Sequence, residues 1–141
     1  MPEPGLGVRV KAARRNSYFT QWAAQFFVGA ELTRRGYVVS YPLGNAPVTD
    51  LQVTSPRGYS FPLEVKGLKS QNYWLVKKPP KGRERFYIFV LVPTVPPFKP
   101  ARYFVLSSTR LRKIHQDDPR WPGMNWGTVL KFEGGWESLP P

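Results

Sequence analysis

The sequence predicts a single α/β domain, and three observations carry that expectation. A stretch with apolar residues at helical spacing comes first, between about residues 16 and 35. Short runs of β-branched and aromatic residues with period-two alternation follow it, separated by turn residues. The fully apolar run Phe86 to Val92 then reads as the central strand of a sheet covered on both faces. At 141 residues the chain suits one core and is too short for two comfortable ones.

Residues 1–15 hold Gly and Pro and then Arg9, Lys11, Arg14 and Arg15, and are expected to form a basic flexible arm ahead of one domain spanning 16–141. Asn16 or Ser17 is placed to cap the first helix by accepting a bond from a free N–H of its first turn. Phe19, Trp22, Ala23, Phe26, Phe27 and Ala30 recur at three and four and predict the buried face of that helix. Glu31 lies four residues after Phe27 and borders the same stripe; Gly36 is placed to end the helix.

Tyr37 to Tyr41 reads as a first strand and Pro42 to Pro47 as a turn. Val48 to Val53 alternates, which puts Val48, Asp50 and Gln52 on one face. Ser55-Pro56-Arg57-Gly58 is a hairpin turn. In the next strand Phe61, Leu63 and Val65 point one way, and Glu64 and Lys66 the other. Gly67 to Arg85 is polar and basic and reads as a mobile loop with a short strand at Tyr73 to Val76. The pair Pro79-Pro80 argues against a long helix there. After Phe86 to Val92 and a proline-rich loop come a strand at Arg102 to Leu106, a helix capped by Ser107 or Ser108 that runs to about Gln116, and a last strand at Thr128 to Phe132.

Composition bounds the function classes. Hydrophobic content of 41% with 15% aromatic is ample for a globular core. The formal net charge of +12 favours a polyanionic partner, nucleic acid or an anionic membrane. The absence of cysteine excludes disulfides, thiolate metal sites and a cysteine nucleophile. No apolar run approaches the roughly 20 residues that span a bilayer. Met1 to Arg15 lacks the apolar core of a signal peptide. A cytoplasmic protein with no membrane partner is expected.

The distribution of charge is more telling than its sum. Between Pro4 and Arg83 there are only three acidic residues, Glu31, Asp50 and Glu64, against thirteen Lys and Arg. A protein that grips a polyanion sheds carboxylates, so those it keeps are candidates for work that needs negative charge. Paired hairpin strands bring Asp50, Glu64 and Lys66 to one face. Carboxylates suit Mg²⁺, which prefers oxygen ligands and keeps several waters. A divalent ion neutralises phosphate charge and lowers the pKa of bound water, and a nearby lysine orients or deprotonates the attacking water. The backbone carbonyl of Val65 is a natural further ligand.

Asp50 followed by Glu64-Val65-Lys66, after a helix bearing Glu31, resembles the PD-(D/E)XK nuclease superfamily, which includes restriction endonucleases and Holliday junction resolvases. The resemblance covers roughly Ser17 to Val92. It implies a restriction-endonuclease-like fold, a mixed central sheet flanked by helices with the N-terminal helix first. It implies DNA phosphodiester hydrolysis with Mg²⁺ or Mn²⁺, with Asp50 and Glu64 on the metal, Lys66 assisting the water and Glu31 joining from the helix. Thr49 stands where many members have proline, and the second helix expected between Lys66 and Phe86 is not evident. Gln71 stands where some branches use a glutamine.

The basic segments supply candidate phosphate contacts: Arg14, Arg15, Lys69, Lys77, Lys78, Lys81 and Arg83, with Gln71 beside them. Tyr73 and Trp74 are placed either to stack on bases or to pack in the core. Trp121, Trp126 and Trp136 are expected to fasten the C-terminal segment onto the sheet. His115 near Asp117 and Asp118 reads as a solvated helix end. Cutting both strands of a duplex from so small a domain calls for two nicks or a symmetric homodimer. RNA is not excluded as a target. A non-catalytic nucleic-acid-binding module on the same fold, or a subunit that binds an acidic protein partner, would carry the same charge.

Overall fold

A 29-residue helix, α1 (Leu6–Arg34), opens the fold. The computed structural model describes residues 6–42 and 49–141, with side chains from Ser17 onward. The helix begins well before the expected cap, so Asn16 and Ser17 lie inside it and the segment from Leu6 to Arg15 is not a loose arm. Lys11, Ala12, Ala13, Arg14 and Arg15 are all strong helix formers, and they carry the helix past the polar pair. The side chains of Arg14 and Arg15, and most of the turn expected at Pro42 to Pro47, lie outside the described residues. Gly36 ends the helix, with a φ of 90° that favours glycine.

The strands that follow are β1 (Val38–Ser40), β2 (Leu51–Thr54), β3 (Ser60–Leu68), β4 (Trp74–Leu75), β5 (Phe86–Leu91) and β6 (Arg102–Ser107). Then come α2 (Ser108–Ile114), β7 (Gly123–Met124), α3 (Trp126–Val129) and two 3₁₀ turns. The main sheet is mixed, in the order β1-β2-β3-β5-β6. β1, β2 and β3 form an antiparallel meander; β5 lies parallel to β3, and β6 antiparallel to β5. β4 and β7 pair separately. The hairpin turn at Ser55 to Gly58 forms as expected, with the Gly58 N–H donating to the Ser55 carbonyl at 2.9 Å.

Two cores sandwich this sheet. On one face, Ala24, Val28 and Leu32 of α1 pack on Leu63, Val65, Ile88 and Val90. On the other, Trp74, Phe89, Phe104, Leu111 and Met124 pack together. β5 is an interior strand, between β3 and the edge strand β6, and is buried on both faces, as its continuous apolar run dictates. Trp126 stacks on Trp74, and Trp136 packs against Tyr103, so both fasten the C-terminal segment. Trp74 is buried in the second core and is not free to stack on bases.

Two expectations are corrected. Thr128 to Phe132 is not a strand: Trp126–Val129 is helical and Leu130–Phe132 is a 3₁₀ turn. A short apolar run carries no decisive period, and the β6 edge is met there by a single bridge between Phe104 and Glu133. The larger correction concerns α1. Phe19, Phe26 and Phe27 are about half exposed, and the buried face is the row Ala24, Val28 and Leu32 with Thr20, Gln21 and Gln25. The small face wins because the helix lies very close to β3 at Gly67. A Cβ on Gly67 would sit 2.8 Å from the Ala24 Cβ and 3.1 Å from the Thr20 carbonyl oxygen. A phenylalanine facing inward would hold the two elements apart.

No described helix is long and apolar enough to cross a membrane.

Candidate active site

The site grows from a mismatch in strand length. β3 runs from Ser60 to Leu68, but its partner β2 begins only at Leu51, which pairs with Leu63. Beyond that point the edge of β3 on the β2 side has no strand to bond. Buried backbone groups need partners, and three side chains supply them. Asp50 Oδ2 accepts the Val65 N–H at 2.8 Å. Gln21 Nε2 donates to the Val65 carbonyl at 2.8 Å, and Gln21 Oε1 accepts the Gly67 N–H at 3.1 Å. Thr49 Oγ1 lies 3.2 Å from the Leu63 carbonyl and closes the fork from below. Gln25, one turn beyond Gln21 on α1, reaches Asp50 Oδ1 at 3.5 Å.

Asp50 stands one residue before β2, near enough to Glu64 for its charge to act on that carboxyl. Glu64 is half-buried. It accepts no hydrogen bond from, and makes no ion pair with, any described residue. Burial pushes its carboxyl above the ordinary carboxylate range; Lys66 opposes this, Asp50 adds to it, and Arg85 opposes it again. Lys66 lies two residues on, on the same face, and is half-buried too. The two do not form a surface charge pair: among the described residues the salt bridges are those of Glu31, Asp117 and Glu133. Tyr87, paired in register with Glu64 on β5, is buried. Burial raises the proton affinity of its hydroxyl, and the Glu64 charge adds to it.

Glu64 and Lys66 open into a groove of about 620 Å³, lined also by Lys77, Lys78, Arg85, Arg120 and Trp121. A second depression, of about 390 Å³, adjoins it at Glu64 and is lined by Thr49, Arg83 and Arg85. Of the expected phosphate contacts, Lys77, Lys78 and Arg83 therefore share a depression with Glu64. Lys69 lines a different depression, with Ser17 and Gln21. Lys81 and Gln71 are exposed, and neither lines the groove.

Glu31 is not part of the site. Its carboxylate accepts from Arg34 Nη2 at 2.9 Å and from Arg35 Nε at 3.0 Å. Burial works against its charge, but these two guanidinium groups outweigh it and hold the carboxyl below its usual range. Its field acts on Tyr103 of β6, at the other flank of α1 from Asp50. The side chains that α1 does contribute are Gln21 and Gln25. Sequence reading missed both, along with Arg85, Arg120 and Trp121. The signal for the glutamines was available: with Ala24, Val28 and Leu32 they form a second row at helical spacing. Trp121 is 57% exposed and does not fasten the C-terminal segment.

His115 is more engaged than a solvated helix end. It caps α2, with Nε2 2.6 Å from the Val76 carbonyl. Asp118 accepts the backbone N–H groups of Arg120 and Trp121 and so shapes the loop that carries them.

Among the described residues no three His, Cys, Asp or Glu side chains converge on one point. The donor set at the fork is instead two carboxylates and a peptide carbonyl. The Val65 carbonyl is held by Gln21, and a carbonyl oxygen has a second lone pair to offer. A half-buried carboxylate without a partner, beside another carboxylate, fits a hard divalent cation that keeps most of its waters. No protein-family model matches the chain, and searches of curated proteins and of solved structures find no match either.

Proposed function

We propose that this protein is a divalent-metal-dependent endonuclease of restriction-endonuclease-like fold that hydrolyses phosphodiester bonds in DNA in a cytoplasmic setting. The observation that carries the proposal is Glu64, half-buried without a partner and opening with Lys66 into a groove lined by cations, with Asp50 near it at the β2–β3 fork. The topology supports it. A helix, an antiparallel meander and then a strand parallel to the third is the order the superfamily uses. The departure is the second helix, whose place on the sheet is taken by the β4–β7 pair with α2 and α3.

In this proposal Asp50, Glu64 and the Val65 carbonyl hold Mg²⁺ or Mn²⁺. The ion supplies charge neutralisation at the scissile phosphate and a lowered pKa for water. Lys66 points along the same face and orients the attacking water or a phosphate oxygen. Arg85, Arg120, Lys77 and Lys78 hold the flanking phosphates. Water adds to phosphorus as the bond to the leaving oxygen breaks, and the proton released by the water ends on that oxygen. Gln25 and Gln21 position Asp50 and the β3 edge and touch neither water nor phosphate.

The test is cleavage of supercoiled plasmid and of a junction substrate with Mg²⁺, Mn²⁺ or chelator, in wild type, Asp50→Ala and Lys66→Ala. We expect metal-dependent nicking that both variants lose by at least about 100-fold, the scale of a removed catalytic group. Tight DNA binding with no cleavage under any metal would leave a binding module on the same fold.

A further inference from the structure

The outer face of α1 has no work in the proposed chemistry, yet it exposes four aromatic rings. Tyr18 is 59% exposed, Phe26 58% and Phe27 47%, with Phe19 at 53%. Their spacing has an order. Phe19, Ala23, Phe26, Ala30 and Thr33 succeed one another at four, three, four and three, the seam of a helix that packs on another helix. Large and small side chains alternate along it, which lets a facing helix approach at the alanines and lodge its own rings beside them. The rings are already ordered: Tyr18 meets Trp22 edge-on at 6.1 Å, Trp22 stacks on Phe26 at 5.5 Å, and Phe26 leans on Tyr41 at 5.7 Å. A preorganised face loses little entropy on association.

Charge narrows the choice of occupant. From Ser17 to Thr33 the helix carries no Lys or Arg, in a chain of net charge +12. A face that met nucleic acid would carry cations. A neutral face is where two such basic molecules can approach each other. Area agrees. At about 200 Å² per ring, four half-exposed rings present about 400 Å² per copy, or about 800 Å² for two copies. Trp22 and Ala30 bring a symmetric pair toward about 1,000 Å², the lower bound for a specific interface.

We infer that the outer face of α1 is a homodimer interface, in which α1 pairs antiparallel with α1 of a second copy about a two-fold axis near Phe26. The pairing is isologous, as a closed dimer requires. Its geometry has a consequence for the site. Glu64 and Lys66 lie on the face of the sheet away from α1, so the two grooves open outward, back to back. Each protomer then carries a complete site, and the dimer does not place two sites on one duplex.

Sedimentation equilibrium of the full chain at micromolar concentration, over a salt series, tests this. We expect twice the 16.2 kDa protomer mass, with association that strengthens as salt screens the repulsion between basic protomers. Phe26→Glu should raise the dissociation constant at least about 30-fold, the scale of an interface hot spot. Ala30→Arg should do the same through a like-charge clash. Both positions are exposed, so the circular dichroism spectrum should keep its native form and melting should stay cooperative, at a midpoint lowered by loss of the dimer, and nicking by the monomeric variants should persist. A monomeric wild type, including one whose aromatic face binds some other protein or a lipid surface, would overturn the inference, as would a dimer that both variants leave intact. Loss of the dimer with no nicking in any form would instead sink the proposed activity and leave the interface standing.

Discussion

At the scale of single residues, Glu64 is the side chain whose surroundings are least suited to its charge. Burial raises its proton affinity, and the Asp50 carboxylate adds to that, while Lys66 and Arg85 offset only part. The folded state therefore binds the Glu64 proton more tightly than the unfolded chain does. The stabilisation this brings is fully present below the unfolded pKa, about 4.3, and is lost as pH rises through the higher folded value. At neutral pH an ionised Glu64 costs the metal-free protein stability. Glu64→Gln should thus raise the melting temperature at pH 7 by a few degrees, a gain under about 1 kcal/mol after solvent screening. Near pH 4 the gain should vanish. Saturating Mn²⁺ should raise the melting temperature of the wild type and leave that of Glu64→Gln unmoved. A variant less stable than wild type at pH 7, with an intact response to Mn²⁺, would show that the Glu64 charge is compensated some other way and binds no ion.

At the scale of elements, the joint between α1 and β3 decides where the carboxylates stand. Gln21 reaches both Val65 and Gly67 only because the helix comes within contact distance of the strand. Gly67→Ala removes that possibility. The atoms it would strike are the Ala24 Cβ and the Thr20 carbonyl, which belong to the helix itself and cannot rotate away. We expect a loss of about 1–3 kcal/mol in urea unfolding, the cost of overpacking, together with weakened nicking. Ala24→Gly combined with Gly67→Ala should recover part of both, and no recovery would mean that the close approach is not what the glycine serves. The same joint explains what could be read from the sequence. The hairpin strands and the shared face of Glu64 and Lys66 were legible, because a period of two and a Ser-Pro-Arg-Gly turn leave little freedom; the setting of Asp50 was not, because it lies just before β2 and turns to the Val65 N–H and to Gln25. The facing of α1 was not. Its sequence is apolar on two sides; bulk points to the aromatic stripe as the buried one, and the close approach to β3 buries the small one instead. The misplacement of Glu31 follows from that one choice, because it borders the aromatic stripe and lies far round the helix from Gln25. Arg85, Arg120 and Trp121 were illegible for another reason: loops and tertiary packing bring them to the groove from residues distant along the chain.

At the scale of the whole molecule, the net charge of +12 is divided by α1 and the sheet into unlike surfaces. One is the neutral aromatic face of the helix. The other is the groove, where Lys66, Lys77, Lys78, Arg85 and Arg120 gather around Glu64. Salt should act on them in opposite directions. Nucleic-acid binding releases about 0.9 counterions per phosphate neutralised, so five groove cations imply a slope of log affinity on log salt of about −4 to −5. Lys78 also lies 3.9 Å from Asp117, which takes up part of its charge and favours the smaller value. Fluorescence anisotropy of a labelled duplex in calcium, a divalent ion chosen to hold the site without turnover, measures that slope. Replacing Arg85 and Arg120 together by alanine should make it shallower by about 2, one unit for each lost phosphate contact, and should do so equally for unrelated sequences, since phosphate contacts carry no sequence information. A slope near zero would mean that the groove does not track a phosphate backbone. A slope that the double variant leaves unchanged would move the contact surface elsewhere, to the basic N-terminal part of α1.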